Sequence, residues 1–225
     1  MFQTFSLVHV GYLAQAALWT AALFGVALAG GALGALVVAA LRVAETPWLR
    51  RAASGYIALI QGTPLLVVLF LAYFGAAFAG FDVPPLMAAG LAFTLWTAAF
   101  LGDIWRGALE AVPREQWEAA TALGLKRLAR LRLVVVPQAV RPAIPPTVGF
   151  LVQLVKNTAL GSIIGFRELT RAGQIVANVT FQPLAVFLTV AAFYFAICWP
   201  LSLASRRLEA RIGSGKVNPL SEQAL

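Results

Sequence analysis

From Val10 to Leu41 the chain carries no Asp, Glu, Lys or Arg. At 1.5 Å rise per residue, a helix of that length is longer than the roughly 30 Å hydrocarbon core of a bilayer. Three further intervals share the property, from Ala52 to Phe81, from Val83 to Gly102 and from Ala172 to Ser205. A fifth, Ala143 to Phe166, is long enough to span but contains Lys156. The sequence therefore predicts an all-α integral membrane protein with five transmembrane helices at about 10–41, 52–81, 83–102, 143–166 and 172–205. Composition agrees: with 60% hydrophobic and 12% charged residues, the chain lacks the charged exterior of a soluble domain. The net charge of +8 would suit nucleic acid, but the basic residues lie between apolar blocks without interleaved stacking aromatics, which argues for no nucleic-acid partner. A single Cys198 excludes an intrachain disulfide and offers no zinc spacing, so no metal or cofactor is expected.

The Lys and Arg distribution sets the orientation. Arg42, Arg50 and Arg51 follow the first span, a dense group from Arg106 to Arg141 follows the third, and Arg206, Arg207, Arg211 and Lys216 follow the fifth. These segments are expected in the cytoplasm, giving N-terminus out and C-terminus in. The short stretch before Val10 has no Lys or Arg and does not read as a signal peptide, so the first span is expected to be retained. Residues 1–212 are expected to form the transmembrane domain, and 213–225, rich in Gly, Ser and Asn, a mobile cytoplasmic tail. The surrounding lipid is the solvent for the rest.

The connection from Asp103 to Pro142 is too long for a turn and must hold structure of its own. Pro113 suits a first helical turn, Glu115 and Glu118 complement a positive N-terminal end, and Lys126, Arg127, Arg130 and Arg132 lie toward the opposite end. Trp117, Ala120, Thr121, Gly124, Leu128 and Leu131 recur at helical steps, predicting one apolar or small face. Periodicity alone is equally satisfied by a helix lying on the bilayer and by one docked on a protein.

Glu118-Ala119-Ala120, then Gly124, then Val134-Val135-Val136-Pro137 resembles the EAA loop of ABC importer membrane subunits. Lys156-Asn157-Thr158-Ala159-Leu160, Glu168-Leu169 and Gly62-Thr63-Pro64-Leu65-Leu66 are similar to the polar amino-acid permeases of that group, from about Gly11 to about Arg207. The sequence departs from the family pattern at Gln61, Phe100, Asp103 and Glu115. The resemblance implies a type I ABC importer-like fold in the cytoplasmic (inner) membrane, with a coupling helix between the third and fourth spans. It further implies a second permease subunit, identical or homologous, two ATP-binding cassette subunits, and an extracytoplasmic amino-acid-binding protein. Carried over residue by residue, Glu118, Ala119, Ala120, Gly124 and Pro137 are the ATPase-coupling candidates.

Lys156, an ionisable group at membrane depth, is the first candidate for the substrate pathway. Asn157, Thr158, Asp103 and Thr63 join it as polar side chains in or beside spans. Each has a plainer reading: Lys156 pairing with a carbonyl or with Asp103, Asn157 and Thr158 bonding a neighbouring helix, Pro64 marking a kink. Gly25, Gly30, Gly31 and Gly34 read as packing faces, Trp48 and Trp105 as interfacial anchors, and His9 as a residue without a role. No phosphate-binding loop occurs, so ATP chemistry belongs to a partner, and no nucleophile or metalloprotease motif supports an enzyme. An ion-coupled secondary transporter is the alternative, since polar residues in broken helices would serve it too. Asn157 offers a neutral amide, and Lys156, Arg167 and Arg171 lean the local field positive, which favours a polar neutral or acidic amino acid over a cationic one.

Overall fold

The computed structural model describes residues 4–213, and every regular element among them is helical, with no strand. The order is α1 (Leu7–Arg42), α2 (Pro47–Gln61), α3 (Leu65–Phe78), α4 (Pro85–Glu110), α5 (Arg114–Ala122), α6 (Arg127–Arg130), a π turn (Leu131–Val135), α7 (Val136–Asn157), a 3₁₀ segment (Thr158–Ile164), α8 (Leu169–Thr180) and α9 (Pro183–Gly213). The tail beyond Gly213 lies outside the described residues. Four helical units are long and apolar enough to cross a membrane, and α2 with α3, meeting at 97°, makes a fifth if the pair is one span.

Three of the sequence intervals divide differently from the expectation. The interval 52–81 is broken at Gly62-Thr63-Pro64, because Pro64 has no N–H to continue the ladder and instead caps α3. The interval 172–205 is cut at Phe181, a left-handed residue with φ 54°, just before Pro183. Its first part is the separate helix α8, and the last long helix starts at Pro183 and runs to Gly213. The interval 143–166 begins much earlier, since α6, the π turn and α7 form one continuous rod from Arg127. Charge marks where a helix leaves the apolar zone, not where its backbone ends, so this extension was hidden.

The centre of the fold is the α1–α4 pair, and small residues let it close. A Cβ on Gly31 would stand 2.4 Å from Thr97 Cβ, one on Gly34 2.7 Å from Ala98 Cβ, and one on Gly102 2.6 Å from Val38 Cγ1. This is the close backbone approach that substitutes for hydrophobic burial where the solvent is lipid. Gly25, expected on the same face, has open space around it. Gly31→Leu should prise α1 from α4 and cost about 3 kcal/mol, read as a lower unfolding temperature in detergent. The same change at Gly25 should leave that temperature unmoved.

Aromatic rings join α4 to α7: Trp96, Phe100 and Phe150 lie with centroids 4.4–5.9 Å apart. Trp105, expected as a membrane-interface anchor, is half-buried and donates its indole N–H to Thr147 Oγ1 at 3.0 Å, tying the same two helices lower down. His9 also has a local role, since its Nδ1 accepts from the Ser6 N–H at 3.1 Å and closes the first turn of α1.

Candidate coupling surface and translocation path

Helix α5 is short because both of its ends are fixed by sequence. Pro113 precedes it as the cap, with φ −53° and ψ 141°, and Glu115 sits in its first turn against the positive end of the helix. At the other end Gly124 adopts φ 73°; its N–H bonds Thr121 O at 2.9 Å while Leu125 N–H reaches Ala120 O at 3.2 Å. This paired closure needs a left-handed residue, for which glycine carries no Cβ penalty. The chain then turns and starts α6. Leu128 and Leu131, expected on the face of one long helix, therefore belong to the next rod, and Lys126, Arg127, Arg130 and Arg132 cluster at its beginning.

The two sides of α5 have different neighbours. Ala120 is 2% exposed within the chain, and half-buried Trp117 packs against the cluster of Ala108, Val112, Val135 and Ala139. Arg130 lies 5.7 Å over the Trp117 ring and also donates to Thr121 Oγ1, so the following rod clamps α5. Glu118, Ala119, Ala122 and Leu123 point outward, Leu123 being 80% exposed. Of the coupling candidates, Ala120 is thus the inner anchor, and the outer surface is offered by Glu118 and Ala119. Gly124 is exposed with no atom of this chain near its missing Cβ, and its positive φ shapes the turn that ends α5. Pro137 is exposed on α7, immediately after the π turn. That wide turn, closed by Val136 N–H to Leu131 O, relieves the clash a proline ring makes with the carbonyl four residues back.

The base of this region is held by charge. Arg106 Nε donates to Asp103 Oδ1 at 2.9 Å, and its Nη1 meets Glu110 Oε2 at 2.5 Å. Two carboxylates thus flank one partly buried guanidinium, each through a charge-assisted hydrogen bond. Asp103 is therefore engaged on its own helix. Trp105 meets Thr147 and Phe100 meets Phe150, so α4 and α7 run antiparallel in step. In that register Lys156 lies roughly 12 Å along the axis from the level of Asp103, so of the two plain pairings open to Lys156 the one with Asp103 does not form.

The remaining pathway candidates gather at two helix interruptions. Thr63 follows the end of α2, half-buried, with its Oγ1 donating to Leu59 O at 2.7 Å. Asn157 ends α7, half-buried, with Lys156 exposed beside it in the last turn, where a cation suits the negative end of a helix. Leu65 and Leu66 after the first break and Leu160 and Ile164 after the second join one apolar cluster, so the two breaks share a support. Thr158 is fully buried at the second break, its hydroxyl donating to Val155 O at 2.6 Å. Discontinuous helices that free backbone groups are the usual construction of a transport site.

One residue network was not legible beforehand. Glu168 is completely buried and caps α8: its Oε1 accepts Arg171 N–H and its Oε2 accepts Thr170 N–H, both at 2.8 Å. Tyr194 of α9 donates to the same carboxylate at 2.8 Å, and Thr20 of α1 accepts Leu169 N–H at 3.1 Å. Glu168 thus joins α8 to α9, and the bond from the neighbouring Leu169 N–H to Thr20 adds α1. The acceptor and donor that complete the network, Thr20 and Tyr194, sit inside charge-free intervals where polarity reads as incidental.

Long apolar helices, close glycine packing and a clamped external helix define a multi-pass membrane protein. The family described as binding-protein-dependent transport system inner membrane component matches residues 30–214 of this chain, and the chain belongs to it. It is 32% identical over 212 residues, 92% of this chain and 96% of the other, to the probable glutamine ABC transporter permease protein GlnP of Bacillus subtilis. It is 36% identical over 159 residues, 70% of this chain and 73% of the other, to the glutamine transport system permease protein GlnP of Escherichia coli K12. A solved structure described as an amino acid ABC transporter with histidines superposes with TM-score 0.85 at 30% identity, covering 93% of this chain and 100% of that one. The chain is thus a transport subunit of an ABC importer and not an enzyme; ATPase activity in such systems belongs to separate subunits.

Proposed function

We propose that this chain forms half of the translocation path of an ATP-driven amino-acid importer in the cytoplasmic membrane. A second permease, identical or homologous, completes the path, two ATP-binding cassette subunits dock on the α5 surfaces, and an extracytoplasmic binding protein delivers the substrate. The observation that carries this reading is the two-sided α5: Ala120 and Trp117 anchor it to the bundle while Glu118 and Ala119 are presented outward. Nothing in an ion-coupled carrier calls for such a helix. The glutamine named for two relatives, with the neutral amide of Asn157 beside Lys156, supports a polar neutral or acidic amino acid such as glutamine or glutamate over arginine or lysine. The solved structure described with histidines argues against setting histidine aside.

The charge distribution supports N-terminus out and C-terminus in, which places α5 in the cytoplasm with the ATPase. In a Cys198→Ala background, a cysteine at exposed Asp82 should react with an impermeant maleimide in intact cells, and one at exposed Glu115 should react only after the membrane is opened. Labelling of the Glu115→Cys variant from outside would reverse the topology and remove the coupling role.

A further inference from the structure

We propose that the lateral opening between α1, α4 and α7 is a site for an anionic phospholipid, with an acyl chain in an apolar cavity and the headgroup on arginines at its rim. The cavity holds about 530 Å³ and is walled by Leu36 and Ala40 of α1, Leu109 of α4, and Val136, Val140 and Ile144 of α7. Its hydroxyl, on Thr147, is already committed, donating to Ala143 O at 2.7 Å and accepting from Trp105. The wall therefore offers a polar ligand nothing. Leu36 at 59% and Val140 at 49% exposure show that the cavity opens sideways between α1 and α7, where lipid lies.

The rim differs from the wall. Val43 and Leu131 line the cavity, and each is next in sequence to an arginine: Arg42, which donates to Ser54 Oγ, and Arg130, which donates to Thr121 Oγ1, each keeping a buried Nε without a protein partner. Arg132, exposed and about one turn before Val136, makes no hydrogen bond or ion pair among the described residues. Glu45 is occupied by Arg127 at 3.2 Å and does not neutralise this group. Guanidinium groups bind phosphate oxygens through directed N–H bonds, and basic rims at the cytoplasmic face draw anionic headgroups. A net-negative headgroup gains from all these arginines, whereas the ammonium of a zwitterionic one opposes them. Arg130 also clamps Trp117 and Thr121, so the headgroup sits on the side chain that holds α5. Lipid occupancy would thereby stiffen the coupling surface.

The cytoplasmic placement of the rim rests on the topology proposed above, but the test does not. The assembled transporter, with its ATPase subunits, is exposed to equal phosphatidylglycerol and phosphatidylethanolamine, and the lipids retained are read by native mass spectrometry. Phosphatidylglycerol should be retained several-fold over phosphatidylethanolamine. Arg132→Gln should remove most of that preference while assembly persists, and Ala40→Trp, which fills the cavity, should lower retention of both lipids. Equal retention of the two lipids by the unaltered protein, or an undiminished preference in Arg132→Gln, would overturn the proposal. Dissociation of the permease pair by Ala40→Trp without lipid release would assign the cavity to the second copy and overturn it as well.

Discussion

Ala119→Trp should abolish most ATP-driven transport, by tenfold or more, while the permease itself folds and inserts normally. Ala119 is exposed on α5 while Ala120 is buried and Trp117 half-buried, so an indole there projects from the outer side and leaves that anchor in place. A small residue on a docking helix permits close approach, and a ring of this size holds the surfaces several ångströms apart. An effect of tenfold corresponds to about 1.4 kcal/mol, a modest demand for an interface that must transmit a power stroke. The expected result is loss of ATPase co-purification and of uptake, with unchanged thermal unfolding of the permease. Gly124→Ala separates docking from geometry: it adds little bulk but opposes φ 73°, and should act through fraying of α5.

Glu168→Leu should destabilise the protein by roughly 3 kcal/mol or more. It strips the acceptor from Thr170 N–H, Arg171 N–H and Tyr194 OH together, in a place with no exposure to water. Tyr194→Phe removes a single donor and leaves the cap, so it should cost only about 1 kcal/mol. Thermal unfolding of the detergent-solubilised protein separates the two. Equal, small shifts for both variants would show that Glu168 does not organise the start of α8.

What was legible in the sequence follows from which signals are local. Uninterrupted apolar length pointed to the long helices, and Pro113, Glu115 and Glu118 marked the start of a helix in the long connection because such signals act on their own neighbours. The division of that connection was less legible. Leu128 and Leu131 fit the same helical period as Trp117 and Ala120, and only the left-handed turn at Gly124 separates them into different rods. Side-chain direction was also ambiguous, since a small residue such as Ala120 serves an external partner and its own bundle equally well. Asp103 and Lys156 were natural partners by charge, yet the antiparallel register of α4 and α7 set them apart and gave Asp103 to Arg106. Phe181 in the left-handed region ended α8 inside an apolar run, where no glycine announced a break.

The central claim is that this chain moves amino acids only when its α5 surface is engaged by an ATPase. Uptake into proteoliposomes containing the permease, its ATPase subunits and the binding protein tests it most directly. Glutamine or glutamate accumulation should require ATP on the α5 side and the binding protein on the other, persist after collapse of ion gradients, and be lost in Ala119→Trp. Uptake by the permease alone, driven by an ion gradient and indifferent to Ala119→Trp, would contradict the account.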